Sequence, residues 1–533
     1  MRYRSASLRG VAAFLAVLAA FCVAASGAAA APLLWTLNSS KGTASTFNGN
    51  GIEVGSPIPV GTDPNSIAIS PNGSRAVVVN FASDNLSIVD TAARVAVETL
   101  PLGSNGESVA ISPNGRTAYV TDEGDEEVHV FNVETAKSEG AFKVGQEASA
   151  VAFAPDGVQA YVGGAKGLYV VDTATRAVSG PIDVGGFVTS IVLTPNGAKA
   201  FVTSAGTDTV HVISTVLEKE VGSISLTVEP TNLAVTPNGE SLYILSRPAG
   251  TVSVASTSGA TPPGSPIAVG SEAYEVAISP DGRTAYVGAT GSEGVIRIDT
   301  TSETELLPIH ATGDGVAHLV VAPDQSPVAA YTAPSAVATF PASFGGASSG
   351  DEDGQVLKWE WSFGEGAVAS GATVQHTYAK AGAYSAKLTV TDNEGCSTAM
   401  VFTGRTAYCS GGASAVTHPV TGTAPPAVCS ARFHVTRLQH NLKNGTVRMQ
   451  VKLRSTGFLL LFGKKVHAIT RKVRKPGSMW LTVHARVELN KRLKKVHRAR
   501  VQTRITFTPS AECGFKTVHR SFALLRAKRK HHH

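Results

Sequence analysis

The chain has 533 residues, 43% hydrophobic and 16% charged, with 46 Lys and Arg against 40 Asp and Glu and a formal net charge of +6. That near-balance hides a division: Pro32 to Cys429 carries 17 basic and 38 acidic residues (−21), whereas Ser430 to His533 carries 26 basic residues against Glu488 and Glu512 alone (+24). The length implies several domains, the charge division excludes one evenly charged surface, and no HExxH, Walker-type loop, EF-hand loop or Cys-x-x-Cys pair marks a familiar catalytic or metal chemistry.

The first 30 residues read as a secretory signal. Arg2, Arg4 and Arg9 form a positive start, Val11–Ala25 is apolar, and Ala28-Ala29-Ala30 supplies small residues for cleavage. Cys22 follows Phe21 inside the apolar run, which argues against a lipoprotein. No later segment is long and apolar enough to span a bilayer as a helix. A secreted, extracellular or cell-surface protein is expected.

From residue 31 to 323 one turn recurs: SPNG at Ser70–Gly73 and Ser112–Gly115, APDG at Ala154–Gly157, TPNG at Thr194–Gly197 and Thr236–Gly239, SPDG at Ser279–Gly282, and APDQ at Ala322–Gln325. The prolines are 42, 42, 40, 42, 43 and 43 residues apart. Pro presets the turn, Asn or Asp follows, and Gly accepts the positive φ. Each turn follows a short apolar strand, from Ile67–Ile69 to Leu319–Val321, and three further strands follow most turns. Four strands in about 42 residues is the size of a propeller blade, so the fold class is all-β with a seven-bladed β-propeller. The seventh blade has only its inner strand, and Leu33–Leu37, Thr43–Phe47 and Ile52–Val60 are expected to complete it; GSPIPVG at Gly55–Gly61 matches GSPIAVG at Gly264–Gly270. An open solenoid is the alternative. The segments TAYV (Thr117–Val120), VTSAGTDTVHVIST (Val202–Thr215) and SPDGRTAYV (Ser279–Val287) resemble the YVTN-type propeller repeats of secreted proteins, a family that includes binding proteins beside relatives of lactonases and dehydrogenases.

Residues 324–409 form the next module. WSFGEG (Trp361–Gly366), HTY (His376–Tyr378) and AGAYSAKLTVTDNEG (Ala381–Gly395) resemble the PKD (polycystic kidney disease) domain, an immunoglobulin-like β-sandwich used as a spacer or binding module. Ser362 and Glu365 stand where that family usually has Asp. Cys396, Cys409, Cys429 and Cys513 allow three pairings; Cys396–Cys409 would close a short hairpin-like segment and Cys429–Cys513 would bracket one domain. A zinc site is the rival reading, but no Cys-x-x-Cys pair is present and an exported chain favours disulfides. Residues 410–428, rich in Gly, Ala, Thr, Ser and Pro, read as a linker.

Residues 429–526 read as a small basic β-sandwich, with strands over Val447–Leu453, Phe458–Phe462, Trp480–Val487 and Val501–Phe507, and residues 527–533 as a basic tail. It resembles Lys-rich β-domains at the C-termini of secreted actinobacterial proteins. Attachment to anionic cell-wall polymers or lipid headgroups is expected, centred on Lys491, Arg492, Lys494 and Lys495. Nucleic acid is not, because aromatic residues are not interleaved with the basic ones.

Around the mouth of the propeller channel the register places Glu107, Tyr274, Glu275 and His318, with Asp122 on a neighbouring loop, as candidate binding residues. Carboxylates and histidines are too scattered there for a lactonase-like metal site, and His129 and His211 read as outward-facing surface residues. The expectation is a non-catalytic binding or adhesion protein with an extracellular protein or carbohydrate ligand and no metal or other cofactor. A secreted propeller hydrolase or oxidoreductase is the alternative.

Overall fold

The structure, a computed structural model, describes residues 34–259, 263–290, 294–310, 316–424, 433–509 and 515–527. The signal segment, Cys429 and Cys513 lie outside the described residues. Among these, the fold is built almost wholly of strands, and no helix is long and apolar enough to cross a membrane.

Seven four-stranded antiparallel sheets occupy the repeat region. The first to sixth sheets run from 64–101, 106–143, 151–182, 188–225, 232–268 and 273–310, each in chain order from an inner to an outer strand. The seventh has the order Leu319–Val321, Leu34–Asn38, Thr43–Phe47, Ile58–Pro59. Leu34 pairs with Val321, Trp35 with Val320 and Thr36 with Leu319, so the two ends of the repeat region share one sheet. The inner strands touch in succession, and that of the seventh sheet touches that of the first.

The recurrent turns explain this spacing. In the first, Gly73 at φ 67° donates its N–H to Ser70 O at 2.8 Å, and Ser70 Oγ donates to Asn72 Oδ1. Each later glycine lies against the proline of the turn before: a Cβ on Gly115 would stand 3.5 Å from Pro71, and one on Gly239 2.9 Å from Pro195. Alanine at these positions meets both a left-handed backbone and a neighbouring ring. The seventh turn ends in Gln325 instead, whose Nε2 donates to Pro71 O at 3.4 Å and packs under Gly73. The turn series thereby also meets its own start.

The next module is a five-stranded sheet, whose outer strands are Ala336–Val337 and Val368–Ser370, facing the pair Ala342–Gly345 and Thr373–His376. Trp361 and Phe363 are buried while Ser362 is exposed, as their alternation predicts. The linker expected at 410–428 is corrected: Ala415–Thr423 is a strand paired with Gly382–Asp392 and, at Gly422 and Thr423, with Ala336–Val337. Over most of its length it is an edge strand, where Pro419 is tolerated, and its Pro and Gly content mimicked a linker.

The basic C-terminal region packs a three-stranded sheet (His434–Asn441, Thr446–Leu453, Gly477–Val483) against a four-stranded one (Gly457–Gly463, Val466–Val473, Arg498–Pro509, Lys516–Leu525). Met449, Val451 and Leu481 from the first meet Leu459, Leu461 and Ile505 from the second in one core. The strand expected over Trp480–Val487 stops at Val483, and Val487–Val496 is a helix. Leu489 and Leu493, four residues apart, bury one face, and the intervening charges suit a solvated helix better than a sheet.

Candidate functional site

Three polar residues at the starts of the inner strands serve the backbone. Ser66 Oγ accepts the N–H of Val109 at 3.1 Å, Asn232 Oδ1 that of Val276 at 3.1 Å, and Glu275 Oε2 that of Leu319 at 3.0 Å. Each acceptor lies 43 or 44 residues before its donor, so each clasps its own inner strand to the next. These three side chains are sheet-to-sheet ties, since a buried N–H without an acceptor is costly.

The centre between the inner strands is filled by the chain itself. A disulfide joins Cys396 to Cys409, and the loop it closes carries the strand pair Val401–Phe402 and Ala407–Cys409. Phe402 and Ala407 enter the core of the second and third sheets beside Tyr119, Val151 and Phe153. Phe153 donates its N–H to Gly404 O at 2.7 Å, Leu193 donates to Thr403 O at 2.9 Å, and Tyr408 Oη donates to Val235 O at 2.6 Å. Gly404 has φ 118°, and a Cβ there would stand 2.9 Å from the Ala152 methyl, so glycine is required at this approach.

At the tip, Arg405 reaches three sheets. Its Nη1 donates to Glu275 Oε1 at 2.8 Å, its Nη2 to Ser66 Oγ at 3.1 Å and its Nε to Val109 O at 3.4 Å. His318 Nδ1 lies 3.5 Å from Glu275 Oε2. Burial pushes the Glu275 carboxyl up, but Arg405, His318 and the Leu319 N–H outweigh it and hold the group below its ordinary value. Around this hairpin, between the inner strands, a cavity of about 70 Å³ remains, far under the roughly 300–1,000 Å³ of small-molecule sites.

The other candidates divide into separate groups. The Tyr274 ring lies 5.9 Å from that of His318 and carries the Arg247 guanidinium 3.8 Å above it, with Glu272 accepting from both side chains. Glu107 is half-buried, and burial together with Glu123 pushes its carboxyl up to about 7. Asp122 lies at the end of a strand, not on a loop, and is wholly buried, and burial raises its carboxyl. The outward placement of His129 and His211 is corrected: their side chains are 17% and 12% exposed. This third-strand slot faces polar residues ending the second strand, as Asn80 meets Ser87, Asp122 meets His129 and Ser204 meets His211. Lys491, Arg492, Lys494 and Lys495 are all exposed on the C-terminal helix, and among the described residues none makes an ion pair.

Where the hairpin leaves the PKD-like module, five carboxylates converge. Asp324 comes from the seventh turn, Asp351 and Asp353 from the sequence DEDG, and Asp392 and Glu394 from DNEG. Asp392 Oδ1 accepts the N–H groups of Glu394, Gly395 and Cys396, and Asp353 Oδ2 accepts that of Gln325 at 3.0 Å. Asp324 Oδ2, both oxygens of Asp351, Asp353 Oδ1, Asp392 Oδ2 and Glu394 Oε2 are buried without hydrogen-bond partners among the described residues. Burial and mutual repulsion push Asp324 up to about 9 and raise Asp351, Asp353, Asp392 and Glu394. Cys396 is in the disulfide, so the donors are oxygens, which suit a hard cation such as Ca²⁺ rather than zinc. A polar cleft of about 530 Å³ beside Asp324 and Glu394 offers a way in. The short Asp- and Glu-rich runs ending in Gly were the available sequence signal, but nothing in the sequence shows that they meet Asp324.

Residues 324–406 match the model of the PKD domain. Collagenase ColA of Clostridium perfringens (strain 13 / Type A) is 50% identical over 52 residues, 10% of this chain and 5% of the collagenase. The chain therefore spans about one-twentieth of that relative. Two solved structures align with about half of the chain. Kuenenia stuttgartiensis hydrazine synthase has 21% identity and a TM-score of 0.46, covering 50% of this chain and 92% of that one. A functionally unknown protein from Desulfotomaculum acetoxidans DSM 771 has 16% identity and a TM-score of 0.48, covering 54% and 98%. With its buried Trp361 and Phe363, its sandwiched sheets and the family match, the segment 324–406 is a PKD domain.

Proposed function

We propose that residues 31–323 form a closed seven-bladed β-propeller of the YVTN type, and that the protein is a non-catalytic binding or adhesion protein outside the cell. The observation that carries this reading is the filled centre. The acid best placed for chemistry, Glu275, is held by the chain's own Arg405 at 2.8 Å, and the space left is about 70 Å³. A substrate cannot enter there without expelling the hairpin, so the outer surfaces of propeller and PKD domain are left to meet an extracellular protein or carbohydrate. The PKD domain and the local likeness to a collagenase fit an extracellular setting.

The basic domain anchors the assembly to anionic wall polymer or lipid headgroups. Its exposed Lys and Arg act as point charges on a net +24 segment, and such attraction fades beyond a Debye length of about 8 Å at physiological salt. The test uses full-length protein on washed cell envelopes. Lys491→Glu, Arg492→Glu, Lys494→Glu and Lys495→Glu together should weaken attachment, and wild type should be released as NaCl approaches about 1 M. Attachment indifferent to both salt and the four substitutions, or turnover in a lactone-hydrolysis or dehydrogenase screen that Glu275→Gln abolishes, would overturn the proposal.

A further inference from the structure

A second group of ligand-type side chains lies in the second sheet, apart from the PKD carboxylates. The strand Thr117–Asp122 turns there into Glu127–Asn132. Asp122 Oδ1 accepts the Asp125 N–H at 2.9 Å, which fixes the carboxylate and leaves Oδ2 outside that bond. Asp122 is 0% exposed, and among the described residues its Oδ2 has no hydrogen-bond partner; neither has His129 Nε2. The two atoms are 3.4 Å apart, yet they do not form an aligned hydrogen bond. One ligand atom each from Asp122, Asp125 and His129 lies within 4.8 Å of the others.

Gly103 supplies the room. Its φ is not in the left-handed region, so its backbone does not demand glycine. A Cβ there would instead collide with Asp122 Oδ2 and Asp125 Oδ2. Both oxygens therefore face the same small space over Gly103. The nearby cation is Lys143, which lies 3.5 Å from the Asp125 carbonyl and 3.9 Å from Glu127 Oε1 and forms no ion pair with Asp122 or Asp125. Phe131 lies nearly parallel to the His129 imidazole, with centroids 6.3 Å apart.

Ligands held at about 2.0–2.1 Å around a tetrahedral zinc stand about 3.3–3.4 Å from one another. The Asp122–His129 separation already has that value. An imidazole in the set favours a first-row transition ion over Ca²⁺ or Mg²⁺. We propose that Asp122 Oδ2, Asp125 and His129 Nε2 bind a divalent transition-metal cation of the zinc type, reached from solvent at the exposed Asp125. Three protein ligands leave one tetrahedral position for water or for a donor group of a bound partner.

The test titrates full-length protein with Co²⁺ in excess Ca²⁺, so that the PKD carboxylates do not compete. Wild type should develop the visible absorption of four-coordinate cobalt, and Zn²⁺ should displace it. His129→Gln should weaken binding by more than the roughly 10–100-fold that loss of a supporting group causes, with the metal-free melting temperature unchanged. Asp122→Asn should do the same; if it fails to fold, His129→Gln decides. The terminal histidines are a competing site, so replacing His531, His532 and His533 by Ala should leave the spectrum intact. The proposal is overturned if wild type gives no four-coordinate spectrum, if His129→Gln binds like wild type, or if the signal disappears with the terminal histidines.

Discussion

Replacing Arg405 by Met removes the charge at the tip of the hairpin and keeps most of its volume. Glu275, 6% exposed, would then be a buried carboxylate beside only His318 and the Leu319 N–H. Breaking a buried ion pair from one side costs about 3–5 kcal/mol. The two surviving partners and the partial exposure of Arg405, 26%, put this case lower, at about 2–3 kcal/mol. For a large domain each kcal/mol shifts the melting temperature by roughly 2–4 °C, so the loss is on the order of 4–12 °C. The sign with pH follows from the direction of the shift. In wild type Glu275 is held below its ordinary value, so its contribution is present above the unfolded carboxylate pKa and fades as pH falls through the lowered one. In the variant burial dominates and the group moves up, so the deficit is largest at neutral pH and closes as acid protonates it. Adding Glu275→Gln to Arg405→Met should recover most of the lost stability, because Gln still accepts from Leu319. Calorimetry of wild type, Arg405→Met, Glu275→Gln and the double variant at pH 4 and 7 provides the assay. A deficit equal at both pH values, or no recovery in the double variant, would refute the assignment of Arg405 as the counter-charge.

Three further outcomes follow. Deleting Pro32–Val60 should strip three strands from the seventh sheet and expose the inner strand Leu319–Val321; a melting temperature unchanged by light scattering and calorimetry would contradict the pairing of Leu34 with Val321. Without a divalent ion, the raised carboxyls around Asp324, itself pushed up to about 9, should make the protein lose stability as pH rises from 5 to 9. Ca²⁺ should flatten that slope and Asp351→Asn with Asp353→Asn should abolish the Ca²⁺ effect; identical slopes with and without Ca²⁺ would reject the cation. Cys396→Ser with Cys409→Ser frees the base of the hairpin, which should raise hydrogen exchange at Phe153 and Leu193, whose N–H groups it accepts; unaltered protection there would mean the hairpin needs no disulfide.

The sheets were legible because each repeat states its own turn, Pro then Asn or Asp then Gly, after an apolar triplet. The PKD sandwich was legible from Trp361 and Phe363 alternating with Ser362. What escaped was long-range. Nothing local in Gly404-Arg405 says that it lies between Ala152 and Glu275, since a hairpin's destination is set by the cavity it fills. Glu275 stood out in the sequence as a mouth residue, but its bond to the Leu319 N–H did not, because an acceptor meant for a neighbouring N–H and one meant for a ligand look alike in a sequence. The strand at Ala415–Thr423 was masked by its own Pro and Gly, and the helix at Val487–Val496 by a charge run that hid Leu489 and Leu493.

The seam between Leu34 and Val321 has a consequence for the order of events in folding. The chain leaves the ribosome in sequence order, so Leu34–Asn38 is made before the six complete sheets and its partner strand arrives only after them. Until then two open sheet edges wait, and unpaired edges invite wrong partners. Such a distant pairing is entropically slow. The hairpin at Cys396–Cys409 emerges later still, and its docking sites at Phe153, Leu193, Val235 and Glu275 belong to the third to sixth sheets. Arg405 also binds Ser66 and Val109 of the first two. Its full set of contacts can form only when the sheets already surround it. The hairpin thus acts as a latch of late synthesis: it rewards correct closure and opposes reopening, so unfolding should be slower than the strength of the short three-residue seam alone would allow.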